Sequence, residues 1–539
     1  AEMRITYGYN GKDAPGAELT FGMLGAYAQD EYSITPNLKL TYGLRFDLPL
    51  YFDDLLGNAA IKEQSFNGTN VDVSEWPKSK LLISPRLGFN WDIKGDRSIV
   101  LTGGTGLFTG LLPFVWFTNQ PTNAGQMQNM VEFETSELPA NFAFNPNYKE
   151  TLTQNPDMFP STPGNEVPGA IAYVDPNFKM PQVWRSNVNA EFQLPYGFML
   201  SVGAMYTRDI YNVVQKNMNE KAPSGTYNEQ PGRVYWTKNN YYDNPKTKTV
   251  IQLTNGDEKG YQYSFNAVLT KKFDFGFTGS FGYTYTMAKD MTANPGSSAA
   301  SVWQNNVAVN SLNDPGVSYS LFSTPHRLIA NASYEVAYAN MKTTVSLFYT
   351  GYQQGRFSYT YSNDMNGDGN YSDLMYVPAS KEEMTFVDIK DKQNNVTYSA
   401  VDQQEDFWNY VNNDSYLNDH KGQYVERASS LEPWIHRFDM KIAQDFYAKI
   451  GSRKYGIQVS LDMLNIGNLL NSKWGAYRSC GLQSYDNVRL LKTASKVGEP
   501  LTYQMNASSR EVFQKNSKWD YTASTGSAWQ MQLGVKFTF

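Results

Sequence analysis

Apolar and polar residues alternate one for one along stretch after stretch of this chain. The last eleven residues set the pattern: Trp529, Met531, Leu533, Val535, Phe537 and Phe539 share one parity, and Gln530, Gln532, Gly534, Lys536 and Thr538 the other. Successive side chains of a β-strand point to opposite faces, so this segment is expected to be a strand with one apolar and one polar face. A strand of a soluble sandwich would look similar, so the segment alone does not fix its surroundings. Other segments narrow the choice. Leu38, Leu40, Tyr42, Leu44, Phe46 and Leu48 alternate with Lys39, Thr41, Gly43, Arg45 and Asp47, and Trp184, Val188 and Phe192 alternate with Arg185, Asn189 and Gln193. Charges on the second face would not be tolerated in a dry sandwich core. The pattern therefore reads apolar outside and polar inside.

The same template predicts about fourteen strands, near 1–9, 19–33, 37–48, 84–93, 97–110, 183–194, 196–212, 260–272, 275–289, 326–338, 341–361, 434–447, 455–466 and 529–539. Short turns and long segments alternate between them. The turns fall at Ile34–Asn37, Lys94–Asp96, Pro195–Gly197, Asp274, Ala339–Asn340 and Ala448–Lys454, and the long segments are roughly 49–83, 111–182, 213–259, 290–325, 362–433 and 467–528. Short turns on one side and long loops on the other are the layout of a bacterial outer-membrane barrel. With the last strand running to a periplasmic C-terminus, every short turn falls in the periplasm and every long loop outside. An all-β, transmembrane, antiparallel up-and-down barrel is expected, in the outer membrane.

Composition agrees once the barrel is considered. A mean hydropathy of −0.51 looks soluble, but a barrel strand needs only alternate residues to face lipid. Aromatics make up 15% of the 539 residues, as interfacial girdles require. The net charge of −6 and the scattered basic residues argue against a nucleic-acid partner. Cys480 alone rules out an internal disulfide framework. The opening A-E-M-R-I-T-Y-G-Y-N has no charged segment followed by an apolar core and looks like strand interior. The chain is therefore expected to be a piece of a longer protein.

Candidate chemistry is sparse. Asp364, Asn366, Asp368 and Asn370, with Gly369 among them, carry oxygen ligands at the spacing of a calcium loop; Met375 stands at the twelfth position in place of the bidentate Glu, with Asp373 as a substitute. Calcium is the one cofactor expected, against the alternative of an Asx- and Gly-rich turn. Gly103, Gly104, Gly106 and Gly110 lack the Lys-Ser/Thr ending of a phosphate loop and are expected in a glycine-rich strand. Arg327 and Arg437 open inward-running strands and are expected at the outer mouth of the lumen with Asp439 and Lys441, meeting a plug or an anionic ligand, or paired with neighbours such as Asp439. The Tyr-, Trp- and Asn-rich loops suit recognition or simple capping. With His326, His420 and His436 as the only histidines and neither H-E-x-x-H nor G-x-S-x-G, no catalysis is expected.

Several stretches also resemble a known family: A-Y-A-Q-D-E-Y-S-I-T-P-N-L-K-L-T-Y-G-L-R-F-D (26–47), G-G-T-G-L-F-T-G-L-L-P-F-V-W (103–116), P-Q-V-W-R-S-N (181–187), N-G-D-G-N-Y-S-D-L-M-Y-V-P (366–378), H-R-F-D-M-K-I-A-Q-D-F (436–446) and L-N-I-G-N-L-L-N-S-K-W-G (464–475). They look like the C-terminal part of the barrel of TonB-dependent transporters, specifically the Oar-like receptors of Bacteroidetes-type bacteria. The resemblance implies a 22-stranded barrel, an N-terminal plug and TonB-driven import of a large ligand, peptide or glycan. It also makes Phe539, with Phe537, the assembly signal. The chain departs from the family in having about fourteen strands and neither plug nor TonB box. On this reading residues 1–539 are barrel only, with an open seam at the last strand, outer-membrane lipids around it, TonB reached through a missing plug, and a surface lipoprotein as a further partner. A passive fourteen-stranded channel and a surface adhesin or assembly factor without transport are the alternatives.

Overall fold

The computed structural model describes residues 2–539 except 14, 165–166, 238–240, 481, 485, 507–509 and 511–518. Thirteen long strands pair with their sequence neighbours in one antiparallel meander: β1 (Phe21–Thr35), β2 (Leu38–Tyr51), β3 (Leu82–Asp92), β4 (Ile99–Thr109), β5 (Gln182–Leu194), β6 (Phe198–Tyr211), β7 (Tyr261–Lys272), β8 (Phe277–Asp290), β9 (His326–Tyr338), β10 (Met341–Gln353), β11 (Trp434–Ile450), β12 (Arg453–Leu464) and β13 (Gln530–Thr538). The short Ser318–Tyr319, on the end of β8, brings the sheet to fourteen strands.

Register keeps the expected faces. Leu533 lies opposite Leu461, which lies opposite Ile442, while Gln532, Asp462 and Lys441 form the row on the other face. On the apolar face, Leu533 and Val535 are each 72% exposed. Such a row is stable only where the surrounding solvent is itself apolar. The short turns close tightly. Ala339 takes a φ of 50° between β9 and β10, and Gly276, with a φ of 95°, leads into β8 where a Cβ would meet the Glu335 carbonyl oxygen at 2.1 Å.

Two expected strands fall differently. Glu2–Gly8 pairs with Gln128–Glu134 outside the wall, because Tyr7 packs with Phe159 and Phe133 in a small core of its own. The expected strand 341–361 is divided: β10 ends at Gln353, and Arg356–Tyr361 leaves the wall to run parallel with Asn487–Thr493. Every residue of Arg356–Tyr361 is buried, so both of its faces are covered by protein.

The long segments fold above the wall. Phe357, Tyr359, Tyr361, Phe407, Val411, Leu491, Tyr503 and Met505 form its largest buried cluster. The helix Ala400–Asn413 contributes Phe407 and Val411 to that core, its N-terminus capped by the Ser399 side chain accepting from the Asp402 amide. Among the described residues, β1 and β13 pair only with β2 and β12, so the meander has two free edges.

Candidate functional site: the lumen wall and the loop cavity

On the polar face of the wall, Gly43, Arg86, Gly106, Arg185 and Thr207 follow one another across β2 to β6. Gly106 keeps this row open, since a Cβ there would meet the Pro85 carbonyl oxygen at 2.8 Å. Arg86 and Arg185 border a cavity of about 230 Å³. Arg86 lies 4.7 Å from the Phe108 ring centroid, and the Arg185 Nε donates to Thr207 Oγ1 at 3.1 Å. Arg327, opposite Thr284 and Tyr352, and Arg437, opposite Thr350, lie in the wall further along. Among the described residues none of these four arginines makes an ion pair with a carboxylate.

The neighbouring charges are engaged with one another. Lys441 Nζ pairs with Asp462 at 2.7 Å. The Asp439 carboxylate accepts from the Asn465 amide at 2.7 Å rather than from Arg437, holding Asn465 at a φ of 51° where the chain leaves β12. Arg327 lies 6.0 Å from the Tyr352 ring centroid, and among the described residues neither it nor Arg437 pairs with Asp439.

Above the wall, three arginines whose role the sequence did not signal hold the loops together. Arg233 has no exposed surface. It donates to Gln230 Oε1 at 3.2 Å, to Asp373 Oδ1 at 3.3 Å, and to the carbonyls of Val309 and Leu374, with its guanidinium 4.9 Å from the Tyr424 ring. Arg427 donates to Asp290 Oδ1 at 3.0 Å, to Asn306 Oδ1 at 3.1 Å, and to the Met291 carbonyl. Arg356 donates to Ser323 Oγ at 2.6 Å and to the Ala428 carbonyl at 3.0 Å. Carbonyls at loop ends are the groups a planar five-donor cation satisfies best. Burial lowers the pKa of both Arg356 and Arg427.

The expected calcium loop lies inside this body. Asp364, Asp368 and Asp373 are drawn together, and each has its pKa raised, first by burial; Asp373 rises to about 7. Their oxygens already have donors. Asp364 accepts from the amides of Gly367, Asp368 and Gly369, Asp368 from the Asn370 amide, and Asp373 from the Met365 amide and Arg233. Asn366 Oδ1 accepts from the Asp368 amide, and the Asn370 side chain donates to the Asp368 carbonyl. Among the described residues no group of three or more His, Cys, Asp or Glu side chains is arranged to hold a metal ion.

Beside this loop opens a cavity of about 450 Å³, lined by Gln304, Asn305, Asn306, Asn370, Asn487 and Arg489 among others. Tyr371, 60% exposed, stands at its border. The Arg489 Nη2 donates to the Tyr371 carbonyl at 3.3 Å, while its Nε is buried without a partner among the described residues. Among the aromatics of the long loops, Trp236 and Tyr241 are buried. At the far end of the chain Phe537 and Phe539 lie exposed, their rings 5.8 Å apart.

A family described as outer membrane β-barrel domain matches residues 5–474. The chain belongs to that family. It is accordingly an outer-membrane β-barrel protein. Similar solved structures include the outer membrane transporter YddB from Escherichia coli, 11% identical over 96% of this chain and 45% of that one, with a TM-score of 0.43. They also include the siderophore receptor PirA from Acinetobacter baumannii, 10% identical over 83% and 41% with a TM-score of 0.38, and the FrpB iron transporter from Neisseria meningitidis, 9% identical over 84% and 42% with a TM-score of 0.37. The chain thus spans less than half the length of these three structures. No curated protein matches it by sequence.

Proposed function

We propose that this chain is the barrel portion of a TonB-dependent outer-membrane transporter of the Oar-like group, importing a peptide or glycan captured by its extracellular loops. The observation that carries the reading is a lumen wall bearing four arginines without carboxylate partners beneath a folded loop body with a polar cavity. The cavity's side-chain amides donate and accept at once, which suits ligands rich in amides or hydroxyls. The arginines suit the acidic groups of a plug or of cargo passing along the wall. The free edges of β1 and β13 add support, since lipid offers no partner for open backbone and further strands are needed to close the wall.

The test uses the protein purified from native outer membranes, incubated with the periplasmic C-terminal domain of TonB and reconstituted in planar bilayers. TonB capture with no steady conductance is the expected result. Open-channel conductance without TonB capture would instead identify a passive channel.

A further inference from the structure

The outward face of the wall is not uniformly convex. Between β6 and β11 it holds an apolar groove of about 740 Å³, within the roughly 300–1,000 Å³ typical of small-molecule sites. Two rows of the sheet build it. One runs through Leu269, Phe281, Ala330, Tyr349 and Phe438, and the next through Phe198, Lys271, Gly279, Ala332 and Leu347. The small residues Gly279, Ala330 and Ala332 form the floor, and the rings and Leu347 rise around them. All belong to the parity of Leu533 and Leu461, the face that meets lipid.

One end of the groove is charged. Lys271 lies next to the short turn joining β7 to β8, on the periplasmic side, with its Nζ 4.5 Å from the Phe198 ring and 4.4 Å from the Phe273 ring. Phe273, Phe275 and Phe277 stack around that turn, marking the depth of the membrane interface. Among the described residues Lys271 makes no ion pair. A lysine on the lipid face extends its ammonium toward the headgroups, and here the rings hold it at the mouth of the groove. At the other end, Tyr349 is tied to His436 Nδ1 at 2.8 Å, which fixes the ring that bounds the groove.

We propose that this groove is a binding site for one glycerophospholipid of the periplasmic leaflet, an acyl chain lying over Gly279, Ala330 and Ala332 and its phosphate on Lys271. Charge complementarity and position choose this occupant, since among the described residues lining the groove Lys271 is the one lysine or arginine, and it stands at the periplasmic turn. A mobile annular lipid meets a convex wall, whereas this lipid meets a concave floor and an ammonium fixed by two rings, so it exchanges more slowly.

Native mass spectrometry of the protein extracted from outer membranes in mild detergent tests the site. One phospholipid-mass adduct per chain is expected for the wild type. Ala332→Phe fills the floor and removes the adduct, and Lys271→Gln weakens retention of phosphatidylglycerol about fivefold at unchanged groove shape. Heat-modifiable gel mobility establishes that each variant is folded. An adduct retained equally by folded Ala332→Phe, an equal phosphatidylglycerol affinity in Lys271→Gln, or an adduct of lipopolysaccharide mass overturns the proposal.

Discussion

The wall and the loop body are made of similar residues placed in opposite solvents. In the wall, Leu533, Val535 and Phe537 lie exposed on one face of β13, as an apolar solvent allows, and backbone ladders between neighbouring strands hold the sheet. In the loop body, Phe357, Tyr359 and Tyr361 are at most 1% exposed, and the protein itself supplies the apolar cover and the partners of most buried polar groups. The wall therefore needs only alternation, while the loop body needs specific cross-connections, and these fall to Arg233, Arg356 and Arg427. Damage to the two regions should differ accordingly.

The largest difference is expected at Arg233. Arg233→Ala strands the Asp373 carboxylate and two carbonyls in a closed core, at about 3–5 kcal/mol of loop stability. Hydrogen exchange should quicken through Tyr361, Leu374 and Tyr424 while the heat-modifiable mobility of the wall stays unchanged. Simultaneous loss of both would show that the two regions do not fold separately. In the wall, Leu461→Arg places a charge on the lipid face and should cost about 2–4 kcal/mol near mid-membrane, read as a lower urea midpoint in lipid vesicles. Gln532→Lys, on the polar face opposite Asp462, should leave that midpoint nearly unmoved, and equal costs would break the assignment of faces.

A smaller effect separates the regions by pH. Burial raises the pKa of Glu220, whose carboxylate accepts from Tyr241 and Ser311. The folded loop then binds more protons than the unfolded chain once pH passes the ordinary carboxylate range. Loop stability is greatest below that range and is lost as pH rises through the folded pKa. Near-UV melting of the loop tyrosines should fall with pH over that window, and Glu220→Gln should flatten the slope. The smallest effect is expected at the exposed Lys39–Glu31 pair, where Lys39→Ala should change the urea midpoint by less than about 1 kcal/mol.

The wall was legible because its rule is local. A period of two with one apolar face is visible in any ten residues, and the strict alternation of short turns with long segments orients the whole meander. The rule failed where it was satisfied by protein instead of lipid. Glu2–Gly8 alternates as well as β2 does, yet it covers its apolar face with Phe133 and Phe159. Arg356–Tyr361 continues from β10 in sequence but is buried on both faces. Arg327 and Arg437 were placed by parity alone, whereas the pairing of Asp439 with the Asn465 amide depends on a left-handed turn in the next strand. The acidic loop at 364–373 showed its oxygens but not the amides and the guanidinium of Arg233 that donate to them.

By itself, the sequence determined the all-β class, the direction and faces of the strands, and which connections are short and which long, because each follows from residues within one strand or turn. Tertiary structure alone decided that Arg233 joins loops whose partners are up to 141 positions away, that a polar cavity opens between them, and that Gly279, Ala330 and Ala332 fall side by side to hollow the lipid face. These features depend on register between distant strands and on which carbonyl a buried guanidinium meets, and no local period encodes either.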